Sequence, residues 1–265
     1  GARSDQHDVL TEMADLVGSL PALRGDLERR RAWLQAQEGE LRSAETSAQH
    51  AVAFERSGTD GSGLSSSLVA LGTIQRWSGR AGEAVPGLEE AGLSRLNVSI
   101  DTLDPDRFLQ LTRRDRLIDV LAGIEAARRS SLKPLKLNAV VMRGVNEDEV
   151  ADLVEFAIEH EAQMRFIEHM PLDIGHTWDR GEMVPREEIL ASLERKFELT
   201  PVPGRGGAPA ELFSIDGGPH TVGVIASVTM PFCGACDRVR LTADGQVRNC
   251  LFANTETDLR TPLRE

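Results

Sequence analysis

The sequence predicts an α/β protein: parallel βα units, followed by a β-rich C-terminal region and preceded by a helical N-terminus. Three observations carry that prediction. Between about residues 83 and 170, β-type runs alternate with helical patterns, as parallel strands joined by helical crossovers do. From about 199 to 250 the chain becomes glycine-punctuated, with short apolar runs between the turns. Before residue 56 it is long, charged and alanine-rich, with its apolar residues at helical spacing. The expected organisation is 1–82 as helical extension and linker, 83–198 as the βα region and 199–265 as the C-terminal region.

Each element has a local reason. Leu10, Met13, Leu16, Val17 and Leu20 recur at helical spacing, and Pro21 ends that helix or starts the next. From Leu23 to Phe54 the sparse apolar points Leu27, Trp33, Leu34 and Leu41 predict a solvated or partner-packing helix. Residues 56–67, rich in glycine and serine, read as a linker. They carry neither Gly-x-Gly-x-x-Gly nor a P-loop lysine. Residues 68–71 are compatible with a short strand before a polar turn. A helix over 83–91 stops at Gly92. Strands are expected over 96–101, 135–142 and 164–170, with helices over 117–129 and 147–160, the latter capped by Asn146. A loop after Pro171 carries Asp173, Gly175 and His176, and a helix over 187–197 follows. Strands over 211–215, 221–227, 239–242 and 246–249 complete the chain.

Composition narrows the function classes. Charged residues at 27% and hydrophobic ones at 40% suit a soluble globular protein, and 265 residues suffice for one large or two small domains. A net charge of −12 argues against nucleic acid as a general partner, so any functional arginines act locally. No apolar run approaches a membrane span, and no signal-peptide pattern opens the chain. With only three cysteines, a reducing, cytoplasmic setting is expected. The first residue is Gly1 rather than Met, as in a fragment or a processed chain.

All three cysteines lie in one stretch, Cys233, Cys236 and Cys250, spaced Cys-x2-Cys-x13-Cys. Three readings are open: a disulfide with a spare thiol, a zinc site completed by His220 or Asp237, or a four-iron, four-sulfur cluster with one iron left open. If 236–240 is extended, Cys236, Arg238 and Arg240 share a face, which sets two positive charges beside the thiols. On the earlier strands, Lys136 alternates with Asn138, and Arg165 shares a parity with Ile167 and His169. A charge on a buried strand face is costly unless it is paired or binds something. Lys136 is therefore an exposed strand end or a ligand contact. Arg165 pairs with Glu168 or Asp101, or contacts a ligand.

Longer runs carry a resemblance. They are Asn97-Val98-Ser99-Ile100-Asp101-Thr102-Leu103, Thr112-Arg113-Arg114-Asp115, Lys136-Leu137-Asn138-Ala139-Val140-Val141-Met142, Arg165-Phe166-Ile167-Glu168-His169-Met170-Pro171 and Pro231-Phe232-Cys233-Gly234-Ala235-Cys236-Asp237-Arg238. Over about residues 83–260 the chain resembles the molybdenum cofactor biosynthesis protein A family, the GTP 3′,8-cyclases, which are radical S-adenosylmethionine enzymes. The resemblance implies an incomplete (βα) barrel of radical SAM type, truncated here in its N-terminal half, with a C-terminal cluster-binding region. It implies a 4Fe-4S cluster on Cys233, Cys236 and Cys250, GTP contacts from Arg238, Arg240, Lys136 and Arg165, and S-adenosylmethionine contacts from Ser99 and Met170. A homodimer is also among its implications.

The family's Cys-x3-Cys-x2-Cys motif, which holds the cluster that cleaves S-adenosylmethionine, is nowhere in the 265 residues. No catalytic residue is therefore assigned, and the N-terminal cluster has no ligands here. The expectation is a GTP 3′,8-cyclase-type chain that is inactive on its own. The alternative is a non-catalytic metal- or nucleotide-binding protein whose helical N-terminus serves interaction.

Overall fold

The structure, a computed structural model, describes residues 2–17, 23–58, 63–172, 178–253 and 255–264. The expected loop candidates Asp173, Gly175 and His176 lie outside the described residues, as do 59–62 of the glycine- and serine-rich stretch. The chain divides into two compact units, residues 1–137 with 156–162, and residues 138–155 with 163–265.

The first unit is mostly helical: α1 (Ala2–Val17), α2 (Arg24–Gln37), α3 (Leu41–Ser57), α4 (Leu64–Trp77), α5 (Ala81–Glu90), α6 (Pro105–Thr112) and α7 (Leu117–Arg129). It also holds strand β1 (Leu96–Ser99) and the start of β2 (Leu135–Val141), its spatial neighbour. Helix α3 buries Ala44, Ser47, Ala48, Ala51 and Val52, a stripe at i, i+3, i+4, i+7 and i+8. Small residues on that stripe let the helices close on one another, and Ala32 of α2, Ala44, Ala48 and Ile74 of α4 form one core cluster. Trp33 and Trp77 meet edge to face at 5.7 Å between ring centroids. Ion pairs between Glu45 and Arg80, and between Arg56 and Glu90, tie the α3 region to α5, so the unit runs through residue 82 without a break.

Two expectations change here. Residues 68–71 belong to α4, where Ser67, Ala70 and Ile74 bury one helical face. A short apolar run does not by itself distinguish a strand from a buried helical turn, and the flanking residues at helical spacing decide it. Helix α6 was not expected. Its signal is local: Asp104 accepts from Arg107 N at 2.9 Å as N-cap, and Pro105 occupies the first turn.

The second unit contains the rest of β2, helix α8 (Val150–Glu159, in part), β3 (Gln163–Glu168), α9 (Arg186–Glu194), β4 (Leu199–Val202), β5 (Glu211–Ile215) and β6 (Thr221–Ile225). Its strands lie in the order β2-β3-β6-β5-β4. Strand β3 runs parallel to β6, with Arg165 opposite Gly223. Strand β5 is antiparallel to both β6 and β4. The sheet is therefore mixed, and β4 to β6, expected in a separate C-terminal region, share it with β3. A second, small antiparallel sheet holds β7 (Arg240–Leu241), β8 (Gln246–Arg248) and β9 (Thr257–Asp258).

Alternation along β3 sorts its side chains. Met164, Phe166 and Glu168 are buried, whereas Gln163, Arg165 and Ile167 face the half-exposed side. Asn146 does not cap the helical turn Glu147–Glu149 with its side chain. It closes the preceding turn instead, accepting from Met142 N at 2.8 Å and donating to Val140 O at 2.9 Å. No helix among the described residues is long and apolar enough to cross a membrane.

Phe166 is fully buried, whereas Ile118 is 79% exposed. Phe166→Ala is expected to cost about 3–5 kcal/mol in chemical denaturation, and Ile118→Ala to stay within about 0.5 kcal/mol. Equal effects would contradict the burial assigned to β3.

Candidate functional site

The half-exposed face of β3 and β6 places one cation with care. Arg165 Nε donates to Gln163 Oε1 at 2.9 Å, and Gln163 Nε2 donates to Thr221 Oγ1 at 2.7 Å. Gln163 is thereby held from β6 while it aims the guanidinium. The opposite residue, Gly223, makes the room. A Cβ there would lie 3.2 Å from Arg165 Cγ and 3.1 Å from Ala210 Cβ. Partial burial depresses the Arg165 pKa from its ordinary value, and no carboxylate offsets that desolvation among the described residues. The pairing with Glu168 that the sequence allowed is not made. Glu168 points to the buried side and is held by other donors. A half-buried guanidinium without a carboxylate is poised for an anionic ligand.

Two buried polar atoms of the same unit, Asn138 Oδ1 and His169 Nδ1, have no hydrogen-bond partner among the described residues. Such orphans are costly in a folded protein and mark places where a ligand or water completes the bonding. Met170 follows β3, is partly buried, and accepts from Leu172 N at 2.8 Å through its carbonyl.

In the first unit, Lys136 sits on the half-exposed side of β2, in alternation with buried Leu135 and Leu137. Ser99 ends β1 and is exposed. It lines a cavity of about 890 Å³ together with Asn97, Thr112, Arg114 and Arg116.

The cysteine segment belongs to the second unit. Cys233–Ala235 forms a tight 3-10 turn closed by Cys236 N to Cys233 O at 3.2 Å. The chain then extends, and Arg238 Nη1 comes to 3.7 Å from Cys236 Sγ. The Cys236 pKa is lowered, first by the backbone N–H of Arg238, against desolvation, and then by its guanidinium. Arg238 Nη2 donates to Gly207 O at 3.2 Å, and the guanidinium lies 5.3 Å from the Phe232 ring centroid. Arg205 lies 5.0 Å from the same centroid. A Cβ on Gly207 would come within 2.9 Å of Ala235 O, so glycine lets the 205–209 loop brace the turn. Arg240 stands opposite Arg248 across β7 and β8, and Arg248 is paired with Glu256.

All three cysteines are free, Cys233 and Cys236 exposed and Cys250 half-buried. Among the described residues no three His, Cys, Asp or Glu side chains are gathered as a metal site, so neither His220 nor Asp237 completes a zinc centre. The donor chemistry still fits a thiophilic metal group: three unbridged thiols in one segment, one with its thiolate favoured by Arg238.

The structure thus joins Cys236 to Arg238 and sets Arg165 on a braced strand face. It adds residues that the sequence did not single out: Gln163, Thr221, Gly223, Arg205, Gly207 and Phe232. Gly223 had a signal, since an isolated glycine inside a strand run marks a close approach. Gly223→Ala is expected to cost about 1–3 kcal/mol in chemical denaturation through overpacking against Arg165 and Ala210. A neutral substitution would contradict the crowding at this position.

The Radical SAM superfamily profile matches residues 44–157, and the Molybdenum Cofactor Synthesis C profile matches residues 162–265. The first match begins at residue 44, inside the stretch expected to be an unrelated extension. The chain is 61% identical over 179 residues to a GTP 3′,8-cyclase of Streptomyces coelicolor, covering 67% of this chain and 52% of that protein. It is 55% identical over 187 residues to a GTP 3′,8-cyclase of Corynebacterium glutamicum, covering 68% and 50%. It is 52% identical over 182 residues to GTP 3′,8-cyclase 2 of Mycobacterium bovis, covering 67% and 51%. The chain spans about half the length of these curated relatives. Residues 44–157 are thus similar to the radical SAM superfamily, residues 162–265 are similar to the molybdenum cofactor synthesis C family, and over about two thirds of its length the chain is similar to GTP 3′,8-cyclases.

Proposed function

We propose that this chain is a GTP 3′,8-cyclase-type protein carrying the GTP-binding and substrate-cluster part of a radical SAM enzyme. The reaction is the conversion of GTP to 3′,8-cyclo-7,8-dihydro-GTP in molybdenum cofactor (molybdopterin) biosynthesis. The observation that carries the reading is the guanidinium of Arg238 at 3.7 Å from the Cys236 thiol, which couples an anion-binding group to a metal donor. The relatives' names support the substrate, and the two profile matches support the class.

In this reading Cys233, Cys236 and Cys250 would hold a 4Fe-4S cluster. With three thiolate ligands, such a cluster would leave one iron open to a donor atom of the nucleotide. Arg238 and Arg240 meet phosphate oxygens with charge-assisted bonds, for which a planar guanidinium is suited. Gly207 O and Phe232 keep the Arg238 guanidinium from swinging away. Arg165 supplies a cation whose direction is set by Gln163, and Lys136 supplies another. Ser99 and Met170 contact S-adenosylmethionine, whose homolysis would supply the radical in the complete reaction.

The sequence has three cysteines, all within 233–250, and so no second set of cluster ligands. We therefore expect GTP and iron binding without turnover by this chain alone. Anaerobic reconstitution with iron and sulfide should give about four irons per chain, and Cys250→Ser should lose them. Zinc at about one per chain would instead indicate a structural site. Arg238→Ala should weaken GTP binding in calorimetry by about ten-fold, the worth of one charge-assisted hydrogen bond. Formation of 5′-deoxyadenosine by the pure protein would contradict the expected lack of turnover.

A further inference from the structure

We infer that Glu168 is a positioning residue for the cysteine turn: its buried carboxylate clamps the segment that leads from β6 to Cys233. The inference rests on the reading that the three cysteines hold a cluster.

Glu168 is the last residue of β3 and is completely buried. A carboxylate there is costly unless its oxygens are satisfied. Its partners among the described residues are neutral donors rather than a cation. Oε1 accepts from Arg186 N at 2.9 Å and from Thr229 Oγ1, and Oε2 accepts from Val228 N at 2.8 Å and Thr229 N at 2.9 Å. The guanidinium of Arg186 is turned elsewhere, to Glu211 at 2.7 Å and toward the Phe213 ring. Three of the four donors thus come from Val228 and Thr229 on one short segment.

That segment is the entry to the metal-donor turn. Thr229 precedes Cys233 by four residues, and Met230 N to Ala226 O at 3.3 Å completes the turn that contains it. Sheet packing alone would be met by an apolar side chain on this buried parity, as at Met164 and Phe166. An acceptor-only group is what the loop demands. Glutamine does not match this set, because whichever way its amide is turned, its NH₂ meets at least one backbone N–H: Arg186 N on the Oε1 side, or Val228 N and Thr229 N on the Oε2 side. Residues that orient metal ligands from outside the coordination sphere commonly govern affinity.

The test compares Glu168→Gln with Val224→Ala, a core truncation on β6 that leaves the clamp intact. The readouts are hydrogen exchange of the 226–236 segment and iron affinity by chelator competition after anaerobic reconstitution. Glu168→Gln is expected to lose amide protection at Val228 and Thr229 and about ten-fold in iron affinity, whereas Val224→Ala keeps both. Should Glu168→Gln not fold, Thr229→Val removes one donor alone and is expected to weaken iron binding in the same direction, with Thr229→Ser restoring it. Unchanged exchange and iron affinity in Glu168→Gln, or in Thr229→Val where that variant is used, would overturn the inference. Equal losses in Val224→Ala, pointing to stability alone, would overturn it too. If the unmodified chain takes up no iron, the cluster reading itself fails, which is a separate result.

Discussion

The parallel pairing of β3 with β6 is the constraint on which the second unit depends. It joins segments almost sixty residues apart in sequence, so its closure carries the loop entropy of the whole stretch that holds α9, β4 and β5. Once set, the register places Arg165 against Gly223 and leaves Gln163 within reach of Thr221. The same register brings the end of β3 to the end of β6, where Glu168 meets Val228 and Thr229. A slip of one residue would turn Arg165 into the core and Glu168 out of it. The strand alternation is thus also a sorting of charges: a cation on the open face, a carboxylate on the closed one.

The two faces handle charge differently. On the open face Arg165 is half-buried with no carboxylate partner among the described residues, a state that favours an incoming anion. On the closed face Glu168 is saturated by backbone donors and gains nothing from a ligand. Near the cysteines, Arg238 serves the thiol of Cys236 and is braced by Gly207 O, which is placed by a loop whose close approach requires glycine. The chain as a whole is acidic, with a net charge of −12, so cations that would meet an anion act locally.

Much of this was legible in the residues. The β2 and β3 strands follow from their β-type runs, and the functional parity of Arg165 follows from strand alternation. What was not legible is long-range. Nothing local says that 221–225 pairs with 163–168, so Gln163 and Thr221 looked ordinary, Gly223 showed a close approach without its partner, and Glu168 looked like a salt-bridge partner for Arg165. Periodicity misled at residues 68–71, where an apolar run suited either a strand or a buried helical turn. The N-terminal helices were read as an appendage because their apolar points are sparse. Alanine and serine faces, as on α3, bury well without looking hydrophobic in sequence.

The central claim is that GTP binds beside a cluster held by Cys233, Cys236 and Cys250. Electron paramagnetic resonance of the reconstituted, reduced protein, recorded with and without GTP, tests it most directly. The account predicts that GTP changes the cluster spectrum, and that ATP at the same concentration does so less. Identical spectra with and without GTP, in a chain that binds the nucleotide by calorimetry, would contradict it.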